Sequence, residues 1–289
     1  MFRPLTVRRP AELLDFLFAS LPEVKRNKVR QSLKFEDVLV NDCPITKFDH
    51  PLQPGDVVSM RSGKARPTRN RLPTAMAIHF EDEHLIVIHK PKGLLSVASE
   101  SERDKTAYGY LVDYVRGGRE RGRERIFTVH RLDRETSGLM VFARTSEAKE
   151  TLQKNWDQNE KRYFAIVEGG PKADIGVLES DLDESQTHKV FSAPPSALTR
   201  HATTHYEVLK RKARLSLLEL RLVTGRRHQI RVQLAEIGCP IIGDDKYAAR
   251  TDPAKRLGLH ACLLKFRHPI TGKELEFESP LPPELAKLF

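Results

Sequence analysis

The stretch HRLDRETSGLMVF, residues 130–142, constrains this chain more than any other. Asp133 lies among His130, Arg131 and Arg134, with Glu135 on its own side. Thr136-Ser137-Gly138 predicts a tight turn. Leu139-Met140-Val141-Phe142-Ala143 then predicts a short buried strand. The chain must hold an acid on a loop at the lip of a sheet, ringed by cations. Opposite charge nearby keeps a carboxylate ionised, and an ionised carboxylate can act as a nucleophile. A loop carrying a solvated ion pair has the same spacing, so the residues alone leave both readings open.

Charge narrows the partner. The sequence carries 49 Lys and Arg against 39 Asp and Glu, a net charge of +10. The excess is uneven: residues 1–72 hold 14 basic against 8 acidic side chains. A basic, asymmetric chain favours a polyanionic partner, and nucleic acid is the commonest. The three cysteines, Cys43, Cys239 and Cys262, are far apart and form no Cys-x-x-Cys pair. That predicts a reducing compartment, with no zinc site and no disulfide framework. His-Glu-x-x-His, phosphate-loop and dinucleotide glycine patterns are absent. No apolar run reaches the length of a membrane span, and Met1-Phe2-Arg3-Pro4 lacks the apolar core of a signal peptide. The expectation is a cytoplasmic protein with no membrane contact.

The 289 residues have room for two domains. Residues 10–62 read as a small unit. Pro10-Ala11-Glu12 opens a helix with Leu13, Leu14, Leu17 and Phe18 on one face. Pro22 and Glu23 start a second, in which Val29 and Leu33 are i,i+4 and Lys25, Arg26, Lys28 and Arg30 cover much of the rest. Val38-Leu39-Val40 is a strand, Asn41-Asp42 a turn, and residues 52–58 a turn and another strand. Residues 63–73 form a linker within a basic run holding Arg61, Lys64, Arg66, Arg69 and Arg71. Residues 74–289 form one larger domain. Strands are predicted at 76–80, 85–89, 161–168, 205–210 and 214–223. A Gly/Arg/Glu-rich loop spans 116–125. Helices are predicted at 146–158, capped by Thr145 or Ser146, and at 227–238, ended by Gly238 and Pro240. A last hairpin turns at Thr271-Gly272.

His130 to Leu139 resembles, without a gap, the signature of the RluA family of RNA pseudouridine synthases. Further blocks extend the resemblance over nearly the whole chain. They are Asp82 to Gly93, with its Lys-Pro-x-Gly; Lys161 to Gly169, a Lys-x-Tyr strand; and Thr224 to Val232, a Thr-Gly-Arg-x-His-Gln-Ile-Arg block. Gly243-Asp244, Tyr247, Leu259-His260-Ala261 and Phe266-x-His268-Pro269 are also in register. Gln233 departs from the family, where histidine is usual. Residues 10–62 resemble the small RNA-binding domain named after ribosomal protein S-four, with Asp42 where glycine is usual.

The resemblance implies an α+β fold: a mixed, mainly antiparallel sheet carrying catalysis, with a small helical/β N-terminal RNA-binding domain. It implies isomerisation of uridine to pseudouridine in structured ribosomal or transfer RNA by a monomeric enzyme. It assigns Asp133 as the catalytic carboxylate, Arg231 as its facing cation and Tyr163 as the active-site tyrosine. Arg131 is expected to fill the gap left by the displaced base, and Arg226, Lys25, Arg26, Lys28 and Arg30 to contact RNA. The reaction gains and loses no atom and is not a redox step, so no cofactor and no metal are expected. Two other readings stay beside it. One is a non-catalytic RNA-binding or ribosome-assembly factor that kept the fold, against which Asp133, Tyr163 and Arg231 stand together. The other is a metal-dependent nuclease, which needs clustered acids; Asp244-Asp245 is the adjacent pair.

Overall fold

The computed structural model describes residues 4–34, 37–60, 72–98, 102, 105–117, 125–186 and 189–289. Most of the predicted linker, 61–71, and the 118–124 part of the Gly/Arg/Glu-rich stretch lie outside the described residues. The chain divides into two compact units, Met1–Arg69 and Asn70–Phe289.

The first unit contains β1 (Leu5–Thr6), β2 (Ala11–Glu12), α1 (Leu13–Ser20), α2 (Arg26–Lys34), β3 (Val38–Val40), β4 (Cys43–Pro44), β5 (Pro51–Leu52) and β6 (Val57–Met60). Four strands pair antiparallel in the order β1-β6-β3-β4, and β2 pairs with β5. The i,i+4 pairs Leu13/Leu17 and Val29/Leu33 are buried against Val38, Val40, Leu52 and Val58. Asn41 and Asp42 both adopt left-handed backbone, φ 50° and 64°. This is the twist a two-residue hairpin loop needs. Two helix starts shift from the sequence reading. Ala11–Glu12 is extended and pairs with β5, so α1 begins at Leu13. The chain turns at 21–24, with Val24 N–H on the Leu21 carbonyl, so α2 begins at Arg26 and Lys25 precedes it.

The second unit runs β7 (Ala77–Glu81), β8 (Leu85–Lys90), α3 (Ala107–Val115), β9 (Phe127–Thr128), β10 (Ser137–Ala143), α4 (Ser146–Lys154), β11 (Glu160–Glu168), β12 (Ile175–Asp183), β13 (Phe191–Ser192), β14 (Thr199–Lys212), β15 (Leu215–Leu222), α5 (Gln229–Glu236), β16 (Leu259–Arg267), β17 (Glu274–Glu278) and α6 (Pro283–Ala286). An 11-stranded sheet follows the order β13-β12-β14-β15-β11-β16-β10-β8-β7, with β17 on β16 and β9 on β10. Among the described strands every pairing is antiparallel except β10 with β16. The fold is the mixed, mainly antiparallel α+β type expected.

β10 reads as an unbroken apolar run because it is covered on both faces. Met140 and Phe142 pack with Ala107 and Leu111 of α3. Leu139, Val141 and Ala143 pack with Ala148 and Leu152 of α4. The predicted turn 136–138 is displaced. Thr136 N–H closes the turn onto the Asp133 carbonyl at 3.2 Å, and Ser137 and Gly138 already belong to the strand. Gly138 serves close approach: its φ is +120°, and a Cβ there would run into the Ala261 carbonyl oxygen of β16. The predicted helix 146–158 ends at Lys154, followed by one 3-10 turn at Trp156–Gln158. Thr145 is its cap, accepting from Ala148 N–H at 3.2 Å.

Candidate active site

The Asp133 loop is pinned from behind by one segment. Ser96 Oγ donates to the Leu132 carbonyl at 2.7 Å and accepts from Leu132 N–H at 3.0 Å. The fully buried Lys90 ammonium donates to the carbonyls of Pro91, Leu94 and Arg134 at 3.0, 2.7 and 3.1 Å. The backbone on both sides of Asp133 is thereby held by residues 90–96. Burial pushes the Lys90 ammonium down to about 7, while Asp133 and Glu135 pull it back up.

α5 supplies the cation. Arg231 Nη1 donates to Asp133 Oδ2 at 3.0 Å, while Nε and Nη2 form a fork on Asp244, both at 2.7 Å. Arg231 and Asp244 are buried, at 7% and 1% exposure. Burial opposes the guanidinium charge, but the bonds and charges of Asp244 and Asp133 outweigh it and raise its pKa. The structure buries Arg231 between two carboxylates. Asp133 Oδ1 receives no hydrogen bond among the described residues. Gln229 fixes the turn ahead of α5: its Oε1 accepts from Arg226 N–H at 2.9 Å and its Nε2 donates to the Thr203 carbonyl at 3.1 Å. His228 is left-handed, φ 54°, so α5 starts at Gln229 and not at 227.

Tyr163 lies where the register of β11 on β16 shifts, between Arg162 and Tyr163. Such an irregularity re-aims a side chain, and Tyr163 lines the same cleft as Asp133, Arg131, Arg226, His228 and Arg231. Burial first, then the charge of Asp133, raises its hydroxyl pKa, so it stays protonated. Arg131 is exposed and makes no ion pair with Asp133. Arg226 is exposed, its Nε donating to the His201 carbonyl at 3.3 Å. The five second-unit residues singled out in the sequence therefore share one cleft. Lys25, Arg26, Lys28 and Arg30 are exposed residues of the first unit.

Sequence reasoning missed Lys90, Ser96, His228, Gln229 and the counter-ion role of Asp244. The signal for most of them was their presence in the family blocks, where no role was assigned. The Asp244-Asp245 pair is not a metal cradle: Asp244 is buried on Arg231 and Asp245 is exposed.

The family model for RNA pseudouridylate synthase matches residues 84–236. Ribosomal large subunit pseudouridine synthase D of Vibrio cholerae is 32% identical, over 95% of this chain and 89% of that one. The RNA pseudouridine synthase YlyB of Bacillus subtilis, itself uncharacterized, is 32% identical over 96% and 93%. The human protein RNA Pseudouridylate Synthase Domain Containing 4 superposes with TM-score 0.61 at 27% identity, over 73% of this chain and 90% of that one. The fold is that of the pseudouridylate synthases. The chain belongs to the RluA family of RNA pseudouridine synthases, enzymes that isomerise uridine within RNA.

Proposed function

We propose that Asp133 is the nucleophile of this isomerisation and that the reaction needs no cofactor. The observation carrying this is the asymmetry of its carboxylate in a residue that lines the cleft: Oδ2 is held by Arg231, while Oδ1 has no partner among the described residues. The bond from ribose to the base nitrogen breaks, the base turns, and a ring carbon takes the sugar. The carbon loses a proton and the nitrogen gains one, so no group and no electron pair is supplied from outside. Arg231 holds one oxygen of Asp133 at 3.0 Å in a partly buried setting. Tyr163 offers a ring on which uracil stacks. The target base leaves its stack, and the exposed Arg131 guanidinium fills the gap. Arg226, Lys25, Arg26, Lys28 and Arg30 meet phosphates.

The substrate is structured RNA, and ribosomal RNA is favoured because relatives at 31–32% identity are named for the ribosomal large subunit. The first unit acts as an RNA-binding domain of the S-four kind. The enzyme acts as a monomer in this reading, in the cytoplasm where such RNA is available.

Asp133→Asn tests the reading. Turnover is expected to vanish while RNA affinity stays within roughly twofold, since affinity rests on Lys and Arg. Wild-type turnover by the variant overturns the assignment. Dialysis against a strong chelator is expected to leave the rate unchanged on RNA that stays folded. Pseudouridine mapped in cellular RNA with and without the gene identifies the target.

A further inference from the structure

We propose that His228 is a positioning residue for Asp133, held in one tautomer by Tyr247. The inference rests on Asp133 being the reacting carboxylate. His228 Nε2 lies 3.8 Å from Asp133 Oδ2, the oxygen that Arg231 also holds. On the other side of the ring, His228 Nδ1 is 2.8 Å from the Tyr247 hydroxyl. That hydroxyl already accepts the Val190 N–H at 3.0 Å. Burial raises the Tyr247 pKa, so the phenol keeps its proton. The arrangement that gives the proton an acceptor directs it to His228 Nδ1. Nδ1 is then the acceptor and Nε2 carries the ring hydrogen, aimed at Asp133.

Charge supports the same geometry. Burial outweighs the pull of Asp133 and holds the His228 pKa below its ordinary value, with Arg231, Lys246 and Arg227 adding to the depression. His228 therefore presents an N–H dipole, not a second full cation. A neutral N–H dipole facing Oδ2 from 3.8 Å biases the carboxylate's orientation without adding a second full positive charge. Tyr247 also lies under Arg231, whose guanidinium carbon is 5.1 Å from the ring centroid, and meets His228 edge-on at 5.6 Å. One buried tyrosine thus touches both of the groups that flank Oδ2. The left-handed backbone of His228 is what turns its ring back from the start of α5 toward Asp133.

The tautomer can be read directly in full-length enzyme labelled with 15N-histidine, the resonance being assigned by its loss in His228→Gln. The expected result is Nε2–H with an unprotonated Nδ1, and loss of that single tautomer in Tyr247→Phe. An Nδ1–H tautomer in the wild type overturns the proposal. Kinetically, His228→Asn tolerates the left-handed backbone but is too short to reach Asp133. It is expected to lower kcat by about tenfold to hundredfold, with KM and RNA affinity unchanged. His228→Gln, which keeps an N–H at similar reach, should recover part of the loss. Tyr247→Phe retains the ring under Arg231 and should slow the wild type but not the His228→Gln background, because the two act as one unit. Additive effects, or an unchanged kcat in His228→Asn, overturn it. Full turnover by Asp133→Asn would instead remove the nucleophile reading, and the tautomer measurement would still judge the His228 geometry separately.

Discussion

Asp133 sits in a place that is only partly wet, with one of its oxygens held by Arg231. Arg231 serves two carboxylates at once, so the trio with Asp244 keeps one net negative charge. Asp244 neutralises the guanidinium, and Asp133 is oriented without being quenched. Removing the cation leaves Asp244 buried and unpaired, which costs about 3–5 kcal/mol. Arg231→Met is therefore expected to unfold at much lower denaturant. Arg231→Lys keeps the charge but loses the fork; it should fold, yet turn over slowly. Urea titration and a turnover assay on both variants separate the two effects. His260 behaves differently. Its Nδ1 meets Ser137 Oγ at 2.8 Å and its Nε2 meets Ser279 Oγ at 3.0 Å. Burial, with His89 and Arg256, pushes it down to about 3. The unfolded chain takes that proton near pH 6.5 and the folded chain does not. Stability is thus complete above pH 6.5 and is lost progressively as pH falls from 6.5 toward 3. Between pH 6.5 and pH 5 the loss from this one group is about 2 kcal/mol. Urea unfolding at both pH values, wild type against the non-titrating His260→Gln, should show that difference.

Among the elements, β10 carries the most consequence, because its first residues join the Asp133 loop to the one parallel pairing among the described strands. Gly138→Ala would drive a Cβ into the Ala261 backbone and force an L side chain into φ +120°. Strain and overpacking together cost about 3 kcal/mol or more. The variant should show a strongly reduced Tm, with residual activity at low temperature falling further than stability alone predicts, since Asp133 hangs from the same strand. β10, β8 and α5 were legible because each has a period or a run that packing then uses. Short elements were less so. The Ser137-Gly138 pair looks like a turn in isolation; what makes it strand is Ala261, more than a hundred residues away in sequence. His228 falls inside a helical pattern, yet a left-handed backbone there starts α5 two residues late. The β12 strand and the α3 helix were not read at all, since their partners β14 and β10 define them more than local composition does. Motifs were enough to single out Asp133, Tyr163 and Arg231, which line one cleft. The supporting layer of Lys90, Ser96, Gln229 and Tyr247 could not be singled out so, because its work is done on backbone atoms and on other side chains.

For the whole molecule, the function proposed puts two jobs on different parts of the chain: chemistry in the second unit, and attraction of a polyanion wherever exposed cations gather. The first 72 residues hold six more basic than acidic side chains, of a total excess of ten. At the start of α2 the four cations Lys25, Arg26, Lys28 and Arg30 are exposed, and Arg26 and Arg30 lie over the Phe18 ring at 5.2 and 5.4 Å. That ring restrains two guanidiniums that would otherwise sample many rotamers, so on the proposed reading less freedom is given up in contacting phosphate. Replacing all four by glutamine in the full-length enzyme removes charge without touching the buried face of α2, where Val29 and Leu33 sit. RNA affinity is expected to fall, and the slope of log affinity against log salt to flatten by roughly 0.7 to 0.9 for each phosphate no longer neutralised. Turnover at saturating RNA should be unchanged, because none of the four lines the Asp133 cleft. Titrations across salt by the wild type and the variant decide the matter: equal slopes would make the basic helix a solvated face, and a lowered kcat at saturation would tie it to the chemistry instead.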